Sequence, residues 1–180
     1  MENSEIVLRC IEESDIQSLF TWHNDKRIKE MYAGHPFPVS FEATKEWINQ
    51  VTKPDYENLI LGIALKEQLI GVCGLKRVNK INRNAELFIF IGSDDFTGKG
   101  FAKTALDELL ILGFHSLGLK RISLTVQNNN ERAISLYKKC GFVCEGVMKE
   151  AVYKNNAFLD LILMAILKED FEKGTSIDEI

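Results

Sequence analysis

The stretch Asn84 to Ile91, NAELFIFI, constrains the fold of this 180-residue chain more than any other. Side chains alternate between the two faces of a strand, so Leu87, Ile89 and Ile91 share one face while Phe88 and Phe90 share the other. A strand that is apolar on both faces belongs at the centre of a sheet, with packing elements above and below. The surrounding sequence supplies such a sheet. Residues 59–66 (LILGIALK) and 69–78 (LIGVCGLKRV) are two apolar runs separated by Glu67-Gln68, the pattern of a hairpin. Residues 6–10 (IVLRC) and 122–126 (ISLTV) read as further strands, and two more, over 142–153 and 157–167, meet at Asn155-Asn156.

Helices fill the intervals. Ser14 with Gln17 has the form of a capping box opening a helix with Ile16, Leu19 and Phe20 inward. Gly34 to Pro38 (GHPFP) ends the helical run before it, and Ser40 caps a second helix with Trp47, Ile48 and Val51 inward. Phe101, Ala105, Leu109 and Leu112 form a helical stripe that stops near Gly118. Asn128-Asn129-Asn130 leads into a short helix from Glu131 that Gly141 terminates. Strands alternate with helices through the middle while hairpins occupy both flanks. The expected class is therefore α/β in the α+β sense, a single domain with a mixed, mostly antiparallel sheet flanked by helices.

Composition excludes several functions. With 46% hydrophobic and 27% charged residues the chain has a globular balance, and its net charge of −4 offers no general attraction to nucleic acid or anionic membrane. No signal peptide or membrane anchor is visible, which reads as cytoplasmic. Cys10, Cys73, Cys140 and Cys144 lack the spacing of a zinc site, so no metal is expected.

The chemistry is carried by DDFTGKGFAKTA, Asp94 to Ala105, a glycine-bracketed turn between a strand and a helix. Backbone N–H groups in such a turn, with the helix N-terminus behind them, suit a phosphate. Spacing removes two readings. A triphosphate loop needs G-x-x-x-x-G-K-[ST], but five residues separate Gly92 from Gly98 and Gly100 follows Lys99. A dinucleotide fingerprint needs a third glycine where Lys103 stands, and Lys120-Arg121 occupies the place of its acidic residue.

The stretch TGKGFA resembles the Q/R-G-x-G-x-G/A loop of the GNAT superfamily of acetyl-coenzyme-A-dependent N-acetyltransferases. Residues 130–142, NERAISLYKKCGF, are similar to that superfamily's N-x-x-A-I-x-L-Y-x-x-x-G-F segment. The nearest branch is that of the ribosomal-protein N-terminal and spermidine acetyltransferases, given NAELFIFIG before the loop and FLDLILMAIL near the end. Thr97 stands where Gln or Arg is usual.

The resemblance implies acetyl transfer from acetyl-coenzyme A to an amine, by direct attack in a ternary complex. The acceptor is a peptide N-terminus, a polyamine, or an amino sugar or other small amine; the alternative is a non-catalytic module that senses acyl-coenzyme A. It divides the chain into acceptor-side helices (about 1–55), a coenzyme-binding core (about 56–142) and C-terminal strands (143–170), and leaves a homodimer open. It implies coenzyme contacts from Phe90 and Ile91, through their backbone, from Thr97, Gly98, Lys99, Gly100, Phe101, Ala102 and Lys103 around the loop, and from Asn130, Ala133 and Tyr137. Tyr137 is the expected acid for the leaving thiolate. Glu86, on the face of Phe88 and Phe90, is the candidate base, with a water relay as the alternative; Thr125 replaces the acid that some members carry on the next strand. Trp22, Asp25, Tyr32, His35 and Phe88 are expected to line the acceptor pocket, with His23, Asn24, Phe37, Glu42, Tyr153 and Asp160 as weaker candidates.

Overall fold

The computed structural model describes residues 6–31, 37–53 and 55–175. Its elements run β1 (Ile6–Arg9), α1 (Ile16–Asn24), α2 (Lys26–Met31), α3 (Phe41–Val51), β2 (Leu59–Leu65), β3 (Gln68–Asn79), β4 (Asn84–Ile91), α4 (Phe101–Ile111), β5 (Arg121–Gln127), α5 (Glu131–Lys139), β6 (Val143–Lys154), β7 (Ala157–Leu167) and α6 (Lys168–Thr175). All seven strands join one sheet in the order β1-β2-β3-β4-β5-β7-β6. Every neighbouring pair is antiparallel except β4 with β5.

The two-faced strand sits as its sequence requires. Leu87 and Ile89 face a large core with Leu106, Leu109 and Leu110 of α4, whereas Phe88 and Phe90 pack against a second core with Trp22, Leu19 and Ile48 of α1 and α3. The aromatic face sets the position of α1. The Trp22 indole meets Phe90 edge-on at 6.0 Å and covers Gly92 so closely that a Cβ there would lie 1.9 Å from its Cε2. Arg27 fastens α2 to the same corner: it donates to the Gly92 carbonyl at 2.8 Å and pairs with Asp94 at the start of the loop.

Several boundaries differ from the sequence reading. Ser14 lies in a 3-10 turn, and the capping box belongs to Glu12 and Asp15, because Arg9 grips the Asp15 carboxylate at 2.7 and 2.8 Å and orients it. The β2–β3 turn falls one residue earlier than Glu67-Gln68, with Lys66 taking the positive φ of 58°. After Ile111 the long helix widens into a π turn over Leu112–Ser116 before the chain reverses at Gly118. Ser40 and Asn130 cap α3 and α5 as their sequence contexts predict, accepting from Ala43 and Ala133.

Candidate active site

β4 and β5 pair only at their beginnings. Asn84, Ala85 and Glu86 stand opposite Arg121, Ile122 and Ser123, and beyond them the two strands separate. Parallel neighbours that part in this way leave main-chain groups facing an open wedge. Gly92 N–H donates to Ile70 of β3 at 2.8 Å. Since successive N–H groups alternate in direction along a strand, the Ile91 N–H points the other way, into the wedge.

The wedge opens into two connected clefts. The inner one, about 120 Å³, is bounded by Leu87, Phe88, Thr125, Gln127, Met31 and Leu161. The outer one, about 430 Å³, extends along Phe96 to the loop and is lined by Thr97, Gly98, Gly100, Phe101, Ala102 and Lys103. Ile89, Asn130, Ala133 and Tyr137 line both. On α5, Asn130, Ala133 and Tyr137 are three and then four residues apart, which places them on one helical face. That spacing is why a single motif delivers a cap, a small residue and a phenol to one wall.

The loop is shaped to receive an anion. Gly98 and Gly100 adopt φ of 78° and 89°, a region that costs side-chain-bearing residues about 1–2 kcal/mol. A Cβ on Gly100 would meet nothing within 4 Å, because it would project into the cleft. Gly100 is the N-cap of α4 and no side chain caps it, so the first N–H groups of that helix are left for a ligand. Thr97 donates its hydroxyl to the Asp94 carbonyl at 2.8 Å and thereby closes the preceding turn. Lys103 pairs with Asp107 at 2.7 Å on the rim. Lys99 is absent from the walls of both clefts. Arg132 and Lys139 do line the outer cleft, and the Arg132 guanidinium comes within 3.8 Å of a Cβ built on Gly98. The sequence reading missed both. The signal was present in their place on α5, flanking the Asn130–Ala133–Tyr137 face.

Tyr137 is 8% exposed and its ring lies 5.8 Å from that of Phe142. Burial, with the nearby Cys140 adding to it, pushes the phenol up to about 12, so it stays protonated through the neutral range. Asn130 accepts from the Ala133 N–H at 3.1 Å through Oδ1, and its Nδ2 has no protein partner among the described residues. One side chain can thus cap α5 and still donate into the cleft.

The proposed base is elsewhere. Glu86 pairs with Arg77 at 2.6 Å, is about half exposed, and lines neither the wedge nor the adjoining cavity. It shares a face with Phe88, as alternation predicts, but at the closed end of the wedge, where β4 is still paired with β5. Asp25 is also diverted: it caps the end of α1, accepts from the Arg27 N–H at 2.8 Å and contacts the Arg27 guanidinium at 3.3 Å, so it positions Arg27 rather than facing a substrate. Tyr153 donates to Asn156 at 2.7 Å in the β6–β7 hairpin, and Asp160 holds Lys149 and the Glu150 N–H there. Asn24 braces the chain at Val39 through two backbone hydrogen bonds. Tyr32 and His35 lie outside the described residues.

Trp22 and Phe88 do meet, in a third cavity of about 390 Å³ behind β4 that is completed by His23, Lys29, Trp47 and Lys76. His23 stands edge-on to Trp47 at 5.2 Å; burial, reinforced by the charge of Lys29, lowers its pKa and keeps the imidazole neutral. Lys76 lies over the Phe88 ring at 4.4 Å from its centroid. Phe88 forms the partition between this cavity and the wedge.

Comparison with known proteins agrees with this geometry. The profile of the acetyltransferase (GNAT) domain matches residues 5–143. A spermidine N(1)-acetyltransferase of Vibrio cholerae is 32% identical, covering 94% of this chain and 96% of that protein. A putative ribosomal N-acetyltransferase of Bacillus subtilis, YdaF, is 26% identical over 94% and 95% of the two chains. The crystal structure of a spermidine N-acetyltransferase from Vibrio cholerae in complex with CoA and spermine superposes with a TM-score of 0.87 at 32% identity, covering 94% of this chain and 99% of that one. Among the described residues no helix is long and apolar enough to cross a membrane, and no cluster of His, Cys, Asp or Glu is arranged to hold a metal. A parted β4–β5 pair, an anion-ready helix start and a phenol between them are thus found in a chain that belongs to the GNAT acetyltransferase family.

Proposed function

We propose that the protein binds acetyl-coenzyme A along the β4–β5 wedge and transfers its acetyl group directly to a primary amine. The observation that carries this is the continuity of the two clefts. The loop and the α4 N-terminus supply N–H donors at the outer end, Tyr137 stands where the two clefts meet, and the open edge of β4 runs along them. In this reading the pyrophosphate takes the N–H groups around Gly98 and Gly100 with Arg132 beside it, while the pantetheine arm pairs with β4 as an added strand would. The thioester carbonyl then finds backbone donors in the wedge, which lower the energy of the developing oxyanion.

The amine attacks from the Phe88 side of the wedge. No carboxylate lines the clefts among the described residues, so the proton leaves the amine through water. Tyr137 serves the leaving group. Full transfer of a proton from a phenol near 12 to a thiolate near 8.5 is uphill by about 5 kcal/mol, so Tyr137 acts by donating a hydrogen bond to sulfur. The thiol acquires its proton as the amine loses one, and the reaction balances as amine plus thioester to amide plus thiol.

The test is thiol release from acetyl-coenzyme A across a panel of primary amines, with the acetylated amine identified by mass spectrometry. Thiol and product in equal amounts are expected. Tight acetyl-coenzyme A binding with no thiol release from any amine would make the protein an acyl-coenzyme A binding module instead.

A further inference from the structure

Gln127 closes the inner cleft opposite Phe88 and beside Met31 and Leu161. It is 4% exposed, yet its Nε2 is buried without a hydrogen-bond partner among the described residues. A buried donor left without a partner is destabilising, and orphans of this kind call for an explanation. Alternation along β5 supplies one. Ile122, Leu124 and Val126 enter the core beneath α4 and α5, so Gln127, with Thr125, points to the opposite face, the side from which the amine approaches.

Among the described residues, the charged groups that line that side are Lys29 and Lys76; Glu86, on the same face of β4, is held by Arg77 outside the cavity. The inner cleft and the cavity behind Phe88 contain no Asp or Glu among the described residues, whereas Lys29 and Lys76 line the cavity. Among the described residues no carboxylate lines these walls to receive a second ammonium, and Lys29 and Lys76 repel one. The lack of a carboxylate base favours an amine that is already partly neutral. At pH 7 an α-amino group, with a pKa near 7.8, is about 14% neutral, against about 0.04% for an alkyl ammonium near 10.4.

We infer that Gln127 is a specificity residue that donates a hydrogen bond to an oxygen of the acceptor, and that the site selects a monoamine with a carbonyl or hydroxyl oxygen on the neighbouring carbon rather than a polyamine. This rests on the acetyltransferase reading above. A site built to satisfy a substrate oxygen discriminates strongly against the analogue lacking it, because its own donor is then stranded.

The experiment compares phenylalaninamide, phenylalaninol, 2-phenylethylamine and spermidine as acceptors, with kcat/KM corrected to the concentration of neutral amine. The amide or the alcohol is expected to exceed 2-phenylethylamine by about 10-fold or more. The better of the two identifies the oxygen as carbonyl or hydroxyl. Gln127→Leu is expected to collapse that ratio through KM for the acceptor while acetyl-coenzyme A affinity, measured by calorimetry, holds. Gln127→Glu is expected to move preference toward spermidine. Equal use of 2-phenylethylamine, a ratio that survives Gln127→Leu, or spermidine as the best wild-type acceptor would overturn the inference. The wild-type comparison stands even if a variant fails to fold. Silence with every amine would overturn the transferase reading beneath it.

Discussion

Tyr137→Phe is the substitution that most cleanly separates chemistry from packing. The ring is 8% exposed and packs beside Phe142, contacts that phenylalanine retains, so the fold should be undisturbed. What disappears is one O–H at the meeting point of the two clefts. Its value follows from the charge it meets. A hydrogen bond to an ionised group contributes about 1.5–3 kcal/mol, and the thiolate forms only as the transition state is passed, so the loss should appear in kcat rather than in coenzyme binding. At about 1.4 kcal/mol per tenfold, kcat should fall about 10- to 150-fold while affinity for acetyl-coenzyme A changes little. Because burial holds the phenol near 12, no alkaline limb below about pH 10 should be traceable to Tyr137 in the wild type. The assay is initial-rate thiol release under saturating coenzyme, with calorimetry for the binding arm. Wild-type kcat in the variant would remove Tyr137 from the mechanism, and a loss confined to coenzyme affinity would make it a binding wall.

Three further predictions concern the scaffold. Gly100→Val forces a β-branched residue to φ near 89° and fills the cleft mouth, so acetyl-coenzyme A affinity should drop at least 10-fold by calorimetry; unchanged affinity in a folded variant would refute the loop assignment. Gly92→Ala drives a methyl into the Trp22 indole and should cost about 1–3 kcal/mol, a fall of about 3–10 °C in thermal unfolding, with a raised KM for the amine as Trp22 shifts behind Phe90. Cys73 is pushed up to about 12, chiefly by burial and then by Glu108. The folded state holds that proton more tightly than the unfolded chain, so the stability involved is complete below about pH 8.5 and is lost as pH rises toward 12. Denaturant titrations from pH 8 to 11 should show this decline, and Cys73→Ala should reduce it, leaving the part due to Cys140, which burial pushes up to about 11.

How far the sequence reveals the molecule depends on the range of the forces involved. The two-faced β4 pattern, the Asn130 cap and the Asn155-Asn156 turn, whose residues adopt φ of 49° and 62°, were legible because each is decided by a few neighbouring residues. The loop glycines are likewise a local turn pattern, whereas Asn130, Ala133 and Tyr137 are picked out by the family resemblance, and their common face follows from helical spacing. Residues whose roles depend on partners distant in sequence were not legible. Asp25 is held by Arg27 only two residues on, but nothing near them announces that Arg27 will be anchored by Asp94 and Gly92, and nothing near Glu86 announces capture by Arg77 across a hairpin. Gln127 lies just past the 122–126 strand of the sequence reading; only the parting of β4 and β5 leaves its amide without a partner at the wedge. The short α2 and the terminal α6 lacked a periodicity long enough to read, having six and eight residues.

If acetyl-coenzyme A completes the β4 edge left open by β5, its binding slows amide exchange along that edge. Hydrogen–deuterium exchange with and without acetyl-coenzyme A tests it directly. Protection is predicted in peptides covering residues 87–91 and 97–103, with the Ile91 amide among those slowed, and in the first turn of α5. Saturated binding that leaves 87–91 exchanging at its free rate, or protects only the cavity behind Phe88, would contradict it.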